Sequence, residues 1–144
     1  FEKYMATAEK AVMDFIEHRP VSVKIYEVEQ PDVLLWAIRG LQQYANTLGT
    51  DVCMNKYGAL IHDLMQWLLD GKHPTLEQRP NGLVYSEGRE KAITWMNSTG
   101  QGGKPIVPRT GYIVEFNALW YNALMFTAKL FAIPTNPPSC KAWR

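Results

Sequence analysis

Three places along the chain put a carboxylate or an amide near an indole where a loop gives way to a helix. Asp32 stands four residues before Trp36, Trp95 stands two before Asn97, and Glu115 follows Arg109 and a Gly-rich loop and precedes Trp120. Carboxylates accept hydrogen bonds from paired sugar hydroxyls, and indole faces stack on the apolar face of a pyranose. Cleaving a glycosidic bond needs more: one carboxylic acid to protonate the leaving oxygen and a second carboxylate as base or nucleophile. Each residue alone also has a plain structural reading. Asp32 reads as a helix N-cap, Glu115 as a first-turn charge favoured by the helix dipole, and Trp36 and Trp120 as core. Their gathering at helix starts on one rim is what points to carbohydrate chemistry.

Other chemistries find no support. There is no Gly-x-Ser-x-Gly, no His-Glu-x-x-His and no Cys–His pairing with supporting spacing. His18, His62 and His73 are scattered, and the two cysteines, Cys53 and Cys140, make neither a disulfide framework nor a zinc site. They read as reduced thiols, with a single bridge left open. The loop Thr99 to Pro105 resembles a phosphate loop only superficially: it lacks the Gly-Lys-Ser/Thr ending, and Pro105 follows Lys104. No metal and no cofactor is therefore expected. Glu87 and Glu90 lie in a charged run that reads as a solvated loop. Lys plus Arg number 15 against 14 Asp plus Glu, a net charge of +1, which excludes a partner bound mainly by phosphate electrostatics, so no nucleic acid is expected. No run of 18 apolar residues occurs, so no membrane partner is expected either. The start, FEKYMATAEK, is too charged for a signal peptide, and a cytoplasmic location is expected. A chain that begins at Phe1 is read as processed or cut from something longer.

Four helical stretches must position these groups. Apolar residues at three- and four-residue spacing predict helices from about Lys3 to Arg19, from Asp32 to Gly49, from Asp51 to Gly71 and from Val114 to Phe131. Only Thr50 separates the second and third, which predicts an antiparallel αα-hairpin. Val21, Val23 and Ile25 alternate weakly as a strand would, and Pro80-Asn81-Gly82 followed by Leu83, Val84 and Tyr85 reads as a turn and a short strand. Ala92-Ile93-Thr94 is also strand-like. The segment Ser98 to Gly111 holds four of the ten glycines and two prolines, a long loop of the kind that is functional or disordered. The run Val33-Leu34-Leu35-Trp36-Ala37-Ile38 has no polar face, so its helix is expected to be covered on both sides. The fold class is all-α, or mainly α, with elaborated loops, short β segments and an apolar surface too large for four helices to hide.

The motifs resemble those of a known family. Thr94-Trp-Met-Asn97, then Val107-Pro-Arg-Thr-Gly111, then Val114-Glu-Phe-Asn-Ala-Leu-Trp-Tyr-Asn-Ala-Leu124 is similar to the amylo-α-1,6-glucosidase domain of glycogen debranching enzymes. Asp32-Val-Leu-Leu-Trp36 and Asn81-Gly-Leu-Val-Tyr85 are similar to two further segments of that family, so the matching core runs from about 32 to 130. The resemblance implies an (α/α)6 toroid, with residues 1–144 forming part of that single domain. The partner it implies is an α-glucan or oligosaccharide, whose α-1,6 branch glucose is hydrolysed with inversion. The apolar faces would then be covered by the rest of the toroid or by self-association. The family's Thr-Trp-Met-Asp ends in the general acid, and here that position is Asn97. An amide does not deliver a proton near neutral pH. The family's second carboxylate lies beyond the matched segment. By the same resemblance, Asp32 and Glu115 would hold sugar hydroxyls, Arg109 would orient Glu115 or the sugar, and Trp36, Trp95 and Trp120 would shape or support the glucose pocket. Two readings follow: a debranching-type glycoside hydrolase, or a catalytically impaired relative that binds glycan without cleaving it.

Overall fold

The computed structural model describes residues 28–96 and 98–132. The helix expected near the N-terminus, the alternation around Val23, Asn97, His18 and Cys140 lie outside the described residues. Within them the chain is mainly helical. Helix α1 spans Pro31–Leu48, α2 spans Thr50–Leu69 and α3 spans Val114–Ala132, with a two-stranded sheet between α2 and α3.

Pro31 opens α1 at a position where the missing N–H is no loss and the fixed φ suits a helix. Asp32 is therefore inside the first turn and is not the N-cap expected for it. Gln30 holds the cap position and makes no side-chain cap hydrogen bond. Asp51 lies within the first turn of α2, whose cap position is Gly49. The break between α1 and α2 falls at Gly49, whose φ of 105° is a conformation that disfavours any side chain. Its N–H still donates to the Ala45 carbonyl at 2.9 Å, so the last turn of α1 is closed before the chain reverses.

Helix α1 packs against both α2 and α3. Its buried stripe is Leu34, Leu35, Ile38, Leu41 and Ala45, the spacing of one helical face. Facing it are Cys53, Tyr57, Ile61 and Leu64 from α2 and Phe116, Trp120 and Ala123 from α3. Tyr44 and Tyr57 meet edge to face at 5.4 Å, and the Cys53 thiol points at the Leu41 carbonyl. Burial pushes that thiol's pKa up, which keeps it protonated and unreactive. Trp36 departs from the expectation of a helix covered all round and from its reading as core: it is 53% exposed. Val114, Tyr121 and Met125 on α3 and Leu48, Val52 and Leu69 on the hairpin are also exposed. The apolar excess read from the sequence is thus present on the surface of the described residues.

The expected turn and strand after Pro80 form. Strand β1, Leu76–Gln78, pairs antiparallel with β2, Val84–Ser86, in the register Leu76 with Ser86 and Gln78 with Val84. Gly82, at φ 83°, closes the connection by donating to the Arg79 carbonyl at 2.8 Å. No strand forms at Ala92-Ile93-Thr94, which runs as bends and loop with Ile93 and Thr94 buried. The Gly-rich loop folds on itself: Gly100 N–H donates to the Lys104 carbonyl at 2.8 Å, and a short 3-10 turn spans Gln101–Gly103. Its backbone is turned inward to its own carbonyls, unlike a phosphate cradle.

Candidate active site

Of the residues singled out in the sequence, Asp32, Trp95, Arg109 and Glu115 form one connected rim, Trp120 is a buried support, and Trp36 stands apart on the surface. Asp32 is 4% exposed, and its carboxylate ties two segments together. Oδ1 accepts the Val33 N–H at 2.9 Å, and Oδ2 accepts the backbone N–H of Trp95 at 2.9 Å. A helix N-terminus is where a carboxylate is most at home, because free N–H groups and the dipole both favour it. The partner sixty-three residues on is the part that local sequence did not show. The residue before Trp95, Thr94, is buried and takes the Met96 N–H on its hydroxyl at 3.2 Å, which turns the chain tightly after Ile93. With its backbone held at both ends of this turn, the Trp95 indole projects outward and is 76% exposed. That is not the placement of a core residue.

Met96 continues the rim to the Gly-rich segment. The Arg109 guanidinium lies 3.9 Å from the Met96 sulfur and 3.7 Å from Glu115 Oε2 in the first turn of α3. Both side chains are about one-third exposed or less, so the pair sits at the edge of the solvent. Glu115 Oε1 is sealed from solvent and has no hydrogen-bond partner among the described residues. The structure therefore brings together Asp32, Trp95, Arg109 and Glu115 through Trp95–Met96, directly before position 97, which lies outside the described residues.

Trp120 is not part of that rim. It is 2% exposed, and its indole N–H donates to the Gly82 carbonyl at 3.2 Å. It serves the β-hairpin from beneath. Trp36 lies one turn beyond Asp32 on α1 and is exposed. Glu87 and Glu90 are solvated as expected, paired with Arg89 at 3.7 Å and Lys104 at 2.6 Å respectively.

Two supporting residues were missed by the sequence reading. Asn117 behaves like a piece of β-strand: its Oδ1 accepts the Val84 N–H at 2.9 Å and its Nδ2 donates to the Val84 carbonyl at 3.0 Å. It fastens β2 to α3, and only its place inside the Asn-Ala-Leu-Trp run hinted at a role. His73 was one of three scattered histidines. It is buried, with Nε2 donating to the Val28 carbonyl at 3.1 Å and Nδ1 accepting the Thr75 N–H at 3.1 Å, while Thr75 Oγ1 donates to the Glu29 carbonyl at 2.8 Å. This latch anchors the approach to α1 just before Asp32. Burial pulls its pKa down from 6.5 to about 4, outweighing the Val28 hydrogen bond and the Glu29 charge, so the ring is neutral near pH 7.

Among the described residues no group of three or more His, Cys, Asp or Glu side chains is placed to hold a metal ion, and no helix is long and apolar enough to cross a membrane. Comparison with curated proteins and with solved structures found no match. Comparison with family models did: residues 24–139 match the model described as amylo-alpha-1,6-glucosidase, a span that contains the rim, its latch and its hairpin support. The chain belongs to the amylo-α-1,6-glucosidase family, the glycoside hydrolase domain of the glycogen debranching type.

Proposed function

We propose that this chain forms part of an (α/α)6 toroid that holds the α-1,6-linked branch glucose of an α-glucan at the rim of Trp95, Arg109 and Glu115. The observation that carries the reading is the joining of the α1 start, the Trp95–Met96 turn and the α3 start in one rim. Trp95 offers an indole face to the pyranose, and Glu115, paired through Oε2 with Arg109 at the edge of the solvent, offers a carboxylate to a hydroxyl. Asp32 acts through the Trp95 backbone, Trp120 acts through the hairpin, and Trp36 widens the apolar border of the pocket. The exposed apolar faces of α1, α2 and α3 are covered by the rest of the toroid within a longer polypeptide, or by self-association of the chain.

Asn97 favours a second reading, a relative that retains glycan binding but has lost most hydrolysis. It occupies the position where the family carries its acid, and an amide supplies no proton to the leaving oxygen. Losing such a proton donor lowers the rate by ~10²–10⁴-fold. Glucose release from limit dextrin by the full-length protein, with and without Asn97→Asp, separates the two. A gain of ~10²-fold or more on restoring the carboxyl group supports Asn97 as the emptied acid position. Equal release by both forms removes that assignment.

A further inference from the structure

The backbone around Arg109, whose guanidinium pairs with Glu115, is held by the segment Ser86–Gly88. Ser86 is fully buried and exchanges both backbone hydrogen bonds with Gly111, at 3.0 and 2.9 Å. Its hydroxyl lies 3.0 Å from the Arg109 carbonyl and 3.2 Å from that of Gly111, sharing one proton between them. Two residues on, Gly88 N–H donates to Thr110 Oγ1 at 3.1 Å. Gly88 is not needed for a left-handed turn. It is needed for space: a Cβ there would stand 2.8 Å from the Arg109 carbonyl oxygen and 2.9 Å from the Ile93 side chain. The Arg109 carbonyl is thus gripped by a donor on one side and approached by bare backbone on the other.

We propose that Ser86 and Gly88 are positioning residues that set the reach of Arg109 to Glu115, and with it the affinity of the rim for α-glucan. Their contact with the site runs through the backbone of Arg109 and Gly111 and the Thr110 hydroxyl, anchored in turn by β2 and the Asn117 clamp. The glycan part of this inference rests on the proposed function; the positioning part does not. The Gly88 backbone packs so closely that one added methyl must displace either Arg109 or Ile93, and a 1 Å misplacement of a positioned group lowers function by up to ~10²-fold.

The test combines binding and structure in the full-length protein. Gly88→Ala and Ser86→Ala are each made alone and on an Arg109→Ala background, with Leu68→Ala as a core variant of comparable thermal destabilisation. Affinity for a malto-oligosaccharide is expected to fall ~10-fold in each single variant, to show no further fall on the Arg109→Ala background, and to hold in Leu68→Ala. Crystal structures of the two single variants are expected to show Arg109 withdrawn from Glu115. An equal loss of affinity with and without Arg109, or an Arg109–Glu115 pair unmoved in both variants, overturns the inference. If the wild-type protein binds no α-glucan, the proposed function fails, and the Arg109 displacement still decides the positioning claim by itself.

Discussion

Removing the Asp32 carboxylate is the perturbation with the most readable consequence. Its two oxygens take the N–H groups of Val33 and Trp95, each at 2.9 Å, from a side chain almost wholly buried. A hydrogen bond to a charged acceptor contributes about 1.5–3 kcal/mol, and an acidic group in the first helical turn about 0.3–1 kcal/mol more. The Val33 N–H is near the helix end and regains water easily, so its share is recovered in part. The Trp95 N–H is the group left without its acceptor. Asp32→Ala should therefore destabilise the domain by about 3 kcal/mol, roughly 12 °C in melting temperature at about 4 °C per kcal/mol. Asp32→Asn keeps one acceptor oxygen and turns an amide N–H toward a backbone N–H, so a loss of about 1.5–2 kcal/mol is expected. Urea unfolding gives the order, and amide exchange at Trp95 locates the cause, since that N–H should exchange faster in both variants. If Asp32→Ala unfolds within about 0.5 kcal/mol of wild type, or Trp95 exchange is unchanged, Asp32 does not hold the rim.

Three further outcomes follow from the same geometry. His73 is neutral in the fold with its pKa near 4, whereas unfolded it titrates near 6.5, so between those values the unfolded state binds more protons. Stability should fall as pH drops from about 6.5 to 4, by on the order of 3 kcal/mol, and be flat below. His73→Gln should flatten that window in a pH series of urea unfolding. Asn117→Leu leaves the Val84 N–H and carbonyl unmatched and should lower stability by about 2–4 kcal/mol, read by thermal melts, with Asn117→Ser intermediate. Expressed alone, the chain should self-associate through exposed Tyr121, Met125 and Val114 on α3, and sedimentation showing a stable monomer would count against the toroid reading.

Much of this was legible because it was periodic. The three described helices come within a residue or two of their predicted bounds, since Leu34, Ile38, Leu41 or Phe116, Trp120, Ala123 repeat at helical spacing. The Pro-Asn-Gly turn and the strand after it were legible from turn chemistry, while the partner strand Leu76–Gln78 was not foreseen. Asp32 failed as a cap because Pro31 takes the first helical position and draws the helix start back by a residue. Trp36 failed as core because a continuous apolar run does not say which side meets a neighbour. Ile93 and Thr94 are buried without a strand partner, so their apolar character reflected burial and not pairing. The supports of the rim were least visible. Asp32 to Trp95, Asn117 to Val84 and Ser86 to Arg109 are long-range bonds of a side chain to a backbone, and no local pattern encodes the distant partner.

The central claim is that the rim of Trp95, Arg109 and Glu115 receives a glucose unit of an α-glucan. Calorimetric titration of the full-length protein with a malto-oligosaccharide carrying one α-1,6-linked glucose tests it most directly. Saturable binding is predicted, weakened ~10-fold or more by Trp95→Ala and by Arg109→Ala at unchanged stoichiometry, as stacking and charged hydrogen bonds are removed. Absence of saturable binding at millimolar sugar, or binding that neither substitution alters, would contradict the account.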